Sequence, residues 1–251
     1  MEFDVSLTTL LAFTLALART SAWVIVSPPF AHRGIPVRVR VAIAVALSLV
    51  LTPMIEPDSV PLDTAGFVGA LVVQILVGLG LGFIVLLMFS AVTAAGGLID
   101  NMAGFTLAQM YDPSSGEQVS VFGRYYNTVA ITLLFVSNGY LLLVAGFTKS
   151  FEAVPLEGLD LASFDKFLVD CLGQFMVAAL EIAAPVIAVL FCTEIAMGLL
   201  ARAAPQLQIF NLAFPIRIAV VLGLTALAIP LVIPAVDNLV TRAATAIAGG
   251  G

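Results

Sequence analysis

The chain has 251 residues, 61% of them hydrophobic and only 10% charged, with a mean hydropathy of +1.13. Soluble domains carry roughly a quarter charged residues, so this chain has too little polar surface to cover a water-exposed globule and is read as an all-α integral membrane protein. Its 10 Lys and Arg against 16 Asp and Glu give no basic patch on which nucleic-acid phosphates could release counterions, which argues against nucleic-acid binding.

A bilayer core is crossed by about 20 mostly apolar helical residues. In chain order, apolar segments run Leu7 to Val26, Val37 to Ile55, Thr64 to Ile99, Tyr125 to Thr148, Cys171 to Leu200 and Ile218 to Val236. The opening Met1-Glu2-Phe3-Asp4 is acidic where a secretory signal is basic, so the first segment is expected to be retained. The third run is uncharged and would be about 54 Å long as one helix, too long for a single crossing of a core about 30 Å thick. It is expected to bend, tilt or protrude, with a break at Ala95-Gly96-Gly97. The fifth carries Glu181, Pro185 and Glu194 and so must face protein or water. Arginines at 33, 38, 40, 202 and 217 mark the cytoplasmic side. Six crossings then put both termini outside, with loops His32 to Arg40, Asp100 to Arg124 and Arg202 to Arg217 inside.

One histidine, His32, and two cysteines, Cys171 and Cys192, leave little for a zinc or haem site, and no cofactor is expected. On one helix the two thiols are about 30 Å apart, beyond disulfide reach. Both are read as helix-packing thiols. Gly78, Gly80 and Gly82 lie inside an apolar run with no preceding strand, which reads as helix packing and not as a phosphate loop. No P-loop or nucleophile elbow occurs. Glu181 and Glu194, thirteen residues apart, fall on nearly opposite helix faces, so a carboxylate dyad is disfavoured. Each is expected to pair singly with an arginine of this chain or of a partner, and Arg19 is treated likewise.

Two polar interruptions remain. Gln109 to Ser120 carries the turn signals Asp112-Pro113 and Ser115-Gly116. It reads either as a surface loop or as irregular backbone buried in protein or lining a water-filled path. Residues 202 to 217 read as a hairpin tip, with Pro205 ending one helix and Pro215 starting the next.

Here the residues resemble a known family. Arg202, Ala204-Pro205-Gln206, Phe210, Asn211 and Pro215-Ile216-Arg217 are similar to the most distinctive motif of the FliR family, flagellar export-gate proteins whose equivalents in virulence type III secretion are the SctT subunits. Further matches run in family order over nearly the whole chain: Arg19, Pro28, Phe30, Gly34-Ile35-Pro36, Arg40, Gly97, Asp100, Gly104, Asp112-Pro113, Asn138-Gly139, Ser150-Phe151 and Pro155. Many relatives have a histidine after the Asn-Gly pair, where this chain has Tyr140.

The resemblance implies a non-enzymatic subunit of a protein-export pore, with about six helical segments arranged as kinked hairpins in a hetero-oligomer. Residues 1–150 would be FliP-like and 171–251 FliQ-like. Partners would be FliP-like and FliQ-like subunits, FlhB-like switch and FlhA-like gate proteins, unfolded substrates and membrane lipid, in the bacterial inner membrane at the flagellar basal body. It also implies that Met110, Tyr111, Asp112, Pro113, Ser114, Ser115, Gly116, Glu117 and Gln118 plug the pore. Arg202, Pro205, Gln206 and Asn211 would contact a neighbouring subunit, and Arg19, Glu181 and Glu194 would be buried charges held by pairing. The alternatives are a virulence-system gate subunit or a small-solute transporter.

Overall fold

In the computed structural model, residues 7–31, 34–56, 59–105, 120–153, 161–204 and 209–248 are described, without the side chains of 161–168, 209–212 and 231. Every regular element among the described residues is helical: α1 Leu7–Val26, α2 Pro28–Ala31, α3 Val37–Leu51, a 3-10 turn Thr52–Met54, α4 Thr64–Ala103, α5 Val121–Val136, α6 Gly139–Ala153, α7 Leu161–Ala203 and α8 Ile209–Ile247. Five helices are long and apolar enough to cross a membrane, and the bent pair α5 and α6 makes a sixth candidate.

Local chemistry explains the boundaries. Pro28 opens α2, where its missing N–H is not needed, and the Ser27 carbonyl accepts from Phe30 and Ala31 N–H at 3.0 and 2.8 Å. Ser120 caps α5, its Oγ accepting from Gly123 N–H at 2.8 Å. Two buried hydroxyls inside the apolar helices satisfy themselves on the preceding turn: Thr20 donates to the Ala16 carbonyl at 2.7 Å and Ser48 to Ala44 at 2.6 Å.

Three expectations are corrected. The helix does not end at Ala95-Gly96-Gly97 but runs unbroken for 40 residues to Ala103. The reason is packing, because a Cβ on Gly96 would lie 2.5 Å from the Phe122 carbonyl carbon and the Gly123 nitrogen. The glycine thus admits another backbone and does not break its own. The run Tyr125 to Thr148 stays a candidate crossing, but as two helices meeting at 77° where one continuous segment was expected. Asn138 sits there at φ 58°, a left-handed conformation that asparagine tolerates better than most residues. Lastly, Pro215 does not start the final helix, which begins at Ile209 and carries Pro215, Pro230 and Pro234 inside it.

The chain forms two compact units. The first comprises Met1–Met88, Asn138–Leu172 and Val240–Gly251. Ala12, Leu15, Ala16, Ile55, Val60 and Ala70 form a buried cluster there. Gly78 and Gly82 let α4 lie directly on α1, since a Cβ on Gly82 would come within 2.9 Å of the Val26 side chain and 3.1 Å of the Trp23 carbonyl. Gly146 of α6 likewise abuts the Ala244 backbone of α8, with a Cβ there only 2.6 Å from the carbonyl oxygen. The second unit comprises Phe89–Ser137 and Gly173–Leu239.

Candidate functional site

In the first unit, Arg19 is completely buried on α1. Its Nε donates to Gln74 Oε1 of α4 at 2.6 Å and its Nη1 to the Ser150 carbonyl of α6 at 3.0 Å. Its Cζ lies 4.2 Å from the centroid of the Phe151 ring. Gln74 and Ser150 are also fully buried, and the Ser150 hydroxyl donates to the Phe147 carbonyl at 2.6 Å. Phe147 meets Phe151 edge-on at 5.6 Å and stacks on Trp23 at 4.4 Å. A hydrogen bond to a charged group is worth about 1.5–3 kcal/mol and a desolvated cation over a ring about 2 kcal/mol. One cation therefore ties three helices together at a depth where an unsatisfied charge is costly. Arg19 and Ser150-Phe151, singled out separately in the sequence, meet across 131 positions.

In the second unit, the residues flanking 106–119 are held by their own constellation. Asp100, near the end of α4, is fully buried. Its carboxylate accepts from the Ser120 hydroxyl and, at 3.2 Å, from the Phe122 N–H that starts α5. Gly104 follows α4 at φ 80°. Phe105 is edge-on to Phe122 at 5.7 Å and lies 6.5 Å from Phe214 of α8. Arg217, one turn beyond Phe214, forms an ion pair with Glu194 of α7. A Cβ on Gly104 would lie 3.6 Å from the Arg217 guanidinium. Carboxylate, helix cap, aromatic contact and ion pair thus form one contiguous patch at the base of the segment 106–119.

The remaining expectations fall as follows. Met110, Tyr111, Asp112, Pro113, Ser114, Ser115, Gly116, Glu117 and Gln118 lie outside the described residues, as do Pro205, Gln206 and His32. Asn211 lies in α8 with its side chain outside them. Arg202 is exposed near the end of α7. Glu194 is paired as described, its side chain 43% exposed, while Glu181 lies on an exposed face of α7. Cys171 is buried and Cys192 exposed, so only the first packs inside this chain. Gln74, Phe105, Phe122 and Phe214 escaped the sequence reading. An amide or an aromatic ring in an apolar run carries no sign of its partner. Asp100 did leave a sign, as a lone carboxylate closing a long uncharged stretch.

Residues 10–243 match the sequence model of bacterial export proteins, family 1. The chain belongs to that family. It is 32% identical to the flagellar biosynthetic protein FliR of Bacillus subtilis strain 168 over 83% of this chain and 82% of that protein. It is 31% identical to FliR of Escherichia coli K12 over 89% and 86%. The Yop proteins translocation protein T of Yersinia pestis is 27% identical over 84% and 83%. As a member of bacterial export proteins family 1 with several apolar helices, the chain is a membrane protein of the type III export kind. The buried Arg19 brace and the Asp100 clamp are features of an export protein's scaffold. Among the described residues no group of three His, Cys, Asp or Glu converges on one point.

Proposed function

We propose that the chain is a gate subunit of the flagellar protein-export apparatus in the bacterial inner membrane, and that residues 110–118 close its pore at rest. Flagellar over virulence use is supported by three relatives at 31–32% identity, all of them flagellar, while the virulence relatives stand at 27–28% and other flagellar ones at 25–28%. The observation that carries the gate reading is the clamp at the base of the segment. Asp100, Ser120 and the Phe122 N–H bond one flank to the other, while Phe105 is held against Phe122. A polar, turn-rich segment of 14 residues (106–119) anchored at both flanks can be displaced by a passing chain and return without the helices unfolding.

In this reading FliP-like and FliQ-like subunits complete the pore, with FlhB-like and FlhA-like proteins beside it, and unfolded flagellar substrates pass through. The role is mechanical and not enzymatic. Arg202, Pro205, Gln206 and Asn211 contact a neighbouring subunit, which accords with the exposure of Arg202.

Deleting Tyr111 to Gln118 is expected to raise ion leakage through the assembled gate while complex yield stays normal. Unchanged conductance refutes the plug. Arg202→Ala with Gln206→Ala is expected to lower complex yield and secretion, and normal levels of both refute the contact.

A further inference from the structure

Between Asp170 and Glu194 the one charged residue is Glu181. On a helix it stands about 15 Å from Cys171 and about 18 Å from Thr193, near the middle of a stretch long enough to cross a bilayer core of about 30 Å. Its side chain is exposed and has no hydrogen bond or ion pair among the described residues. The packed face of α7, carrying Ala179, Ile182, Ala183, Val186 and Leu190, lies on the opposite side of the helix. Within one turn of Glu181 the exposed face is apolar, with Val177 and Leu180 52% and 55% exposed, and Gln174 is the exposed polar residue two turns before it.

A second acceptor lies at the same turn. Pro185 sits inside the helix four residues on and has no N–H, so it cannot donate to the Glu181 carbonyl as an ordinary residue would. One turn of an apolar surface thus presents a carboxylate and a backbone carbonyl, both short of donors. Lipid offers no donor at that depth, and an ionised carboxylate there is costly. The valine and leucine that flank Glu181 are surface of the kind an apolar helix buries. What satisfies both acceptors and the apolar surround is a helix carrying a single cationic donor.

A second copy of this chain has no such group to offer. Of its ten Lys and Arg, Arg19 is buried and bonded, Arg217 is paired with Glu194, and the others lie at or beyond the ends of the apolar runs.

We propose that the Glu181 face of α7 is the seat of an apolar membrane helix from a different polypeptide, which places one Arg or Lys against the Glu181 carboxylate and carbonyl. The inference rests on the reading of the chain as one subunit of a larger export gate, and it names the chemistry that the neighbour must bring.

The test uses the full chain in its native membrane, purified in mild detergent, with the photo-crosslinking amino acid p-benzoylphenylalanine at position 180 or 184. The crosslinked peptide is expected to come from another polypeptide and to carry Arg or Lys within one helical turn. Glu181→Lys is expected to cut the co-purified neighbour at least tenfold at equal membrane level. Exchanging that neighbour's cation for Glu is expected to restore it. Crosslinks to lipid alone or to a second copy overturn the proposal. So does full recovery of the neighbour with Glu181→Leu, and so does failure of the charge exchange. If the unaltered chain brings down no other polypeptide at all, the gate reading itself falls. An intact complex that ignores Glu181 refutes only this contact.

Discussion

Replacing Asp100 by asparagine tests the clamp directly. The carboxylate is fully buried and accepts two hydrogen bonds, from the Ser120 hydroxyl and the Phe122 N–H. Ser120 Oγ is already the acceptor for Gly123 N–H, so its own proton is directed at Asp100. Asparagine keeps the shape and an oxygen where Oδ2 accepts from both donors, but it replaces Oδ1, which lies 3.4 Å from the Phe122 nitrogen, by NH2 and removes the charge. Both bonds lose their charge assistance, and with about 1.5–3 kcal/mol per bond to a charged group against about 0.5–1.5 kcal/mol for a neutral one the local cost is about 2 kcal/mol. At 1.4 kcal/mol per tenfold, the first turn of α5 should open about thirtyfold more often. Native-state hydrogen exchange on the purified complex, followed on peptides covering residues 120–126, reads that change directly. Amide protection equal to the parent protein would show that Asp100 does not hold this turn.

Gly96→Ala should lower assembled yield sharply, because its Cβ would come within 2.5 Å of the Phe122 and Gly123 backbone, which cannot rotate away. Gly97→Ala, whose nearest neighbour would be Ser120 Oγ at 3.9 Å, should be tolerated and gain about 0.5–1 kcal/mol of helix stability. A comparison of the two by thermal unfolding in detergent settles the point. Gln74→Leu deprives the buried Arg19 Nε of its 2.6 Å acceptor and should cost about 1.5–3 kcal/mol. An unchanged melting temperature would mean that Arg19 is held by its other contacts. Asn138→Ala at φ 58° should cost about 1 kcal/mol through left-handed strain while Asn138→Gly does not, again by thermal unfolding. A double-mutant cycle on Glu194 and Arg217, both partly exposed at 43% and 29%, should return at most about 1 kcal/mol of coupling.

What the sequence discloses here is what hydropathy and local turn chemistry encode. Residues Leu7 to Val26 read as one apolar segment and form α1 with those same ends, because charge and Pro28 bracket a uniform run. The membrane class follows from the same local property. Gly96-Gly97 shows the limit. A glycine pair signals either a weakened helix or a close approach, and only the Phe122 and Gly123 backbone, more than 20 residues away in sequence, decides which. The bend at Asn138 was hidden for a related reason, since the residues on both sides are apolar and hydropathy does not register direction. At the candidate sites the charged members were visible as charges in apolar context. Their uncharged partners, Gln74, the Ser150 carbonyl and Phe122, are set by tertiary contact and left no pattern.

The Arg19 brace also sets an order of events at the ribosome. Gln74 follows Arg19 by 55 positions and the Ser150 carbonyl by 131. At about 5–20 residues per second, the guanidinium waits roughly 3–11 s for its first partner and roughly 7–26 s for its second. During that interval α1 is a helix with an unmatched cation, which is costly in lipid. The brace therefore closes in two steps, on α4 first and on α6 last, and is complete only when about three fifths of the chain has been made.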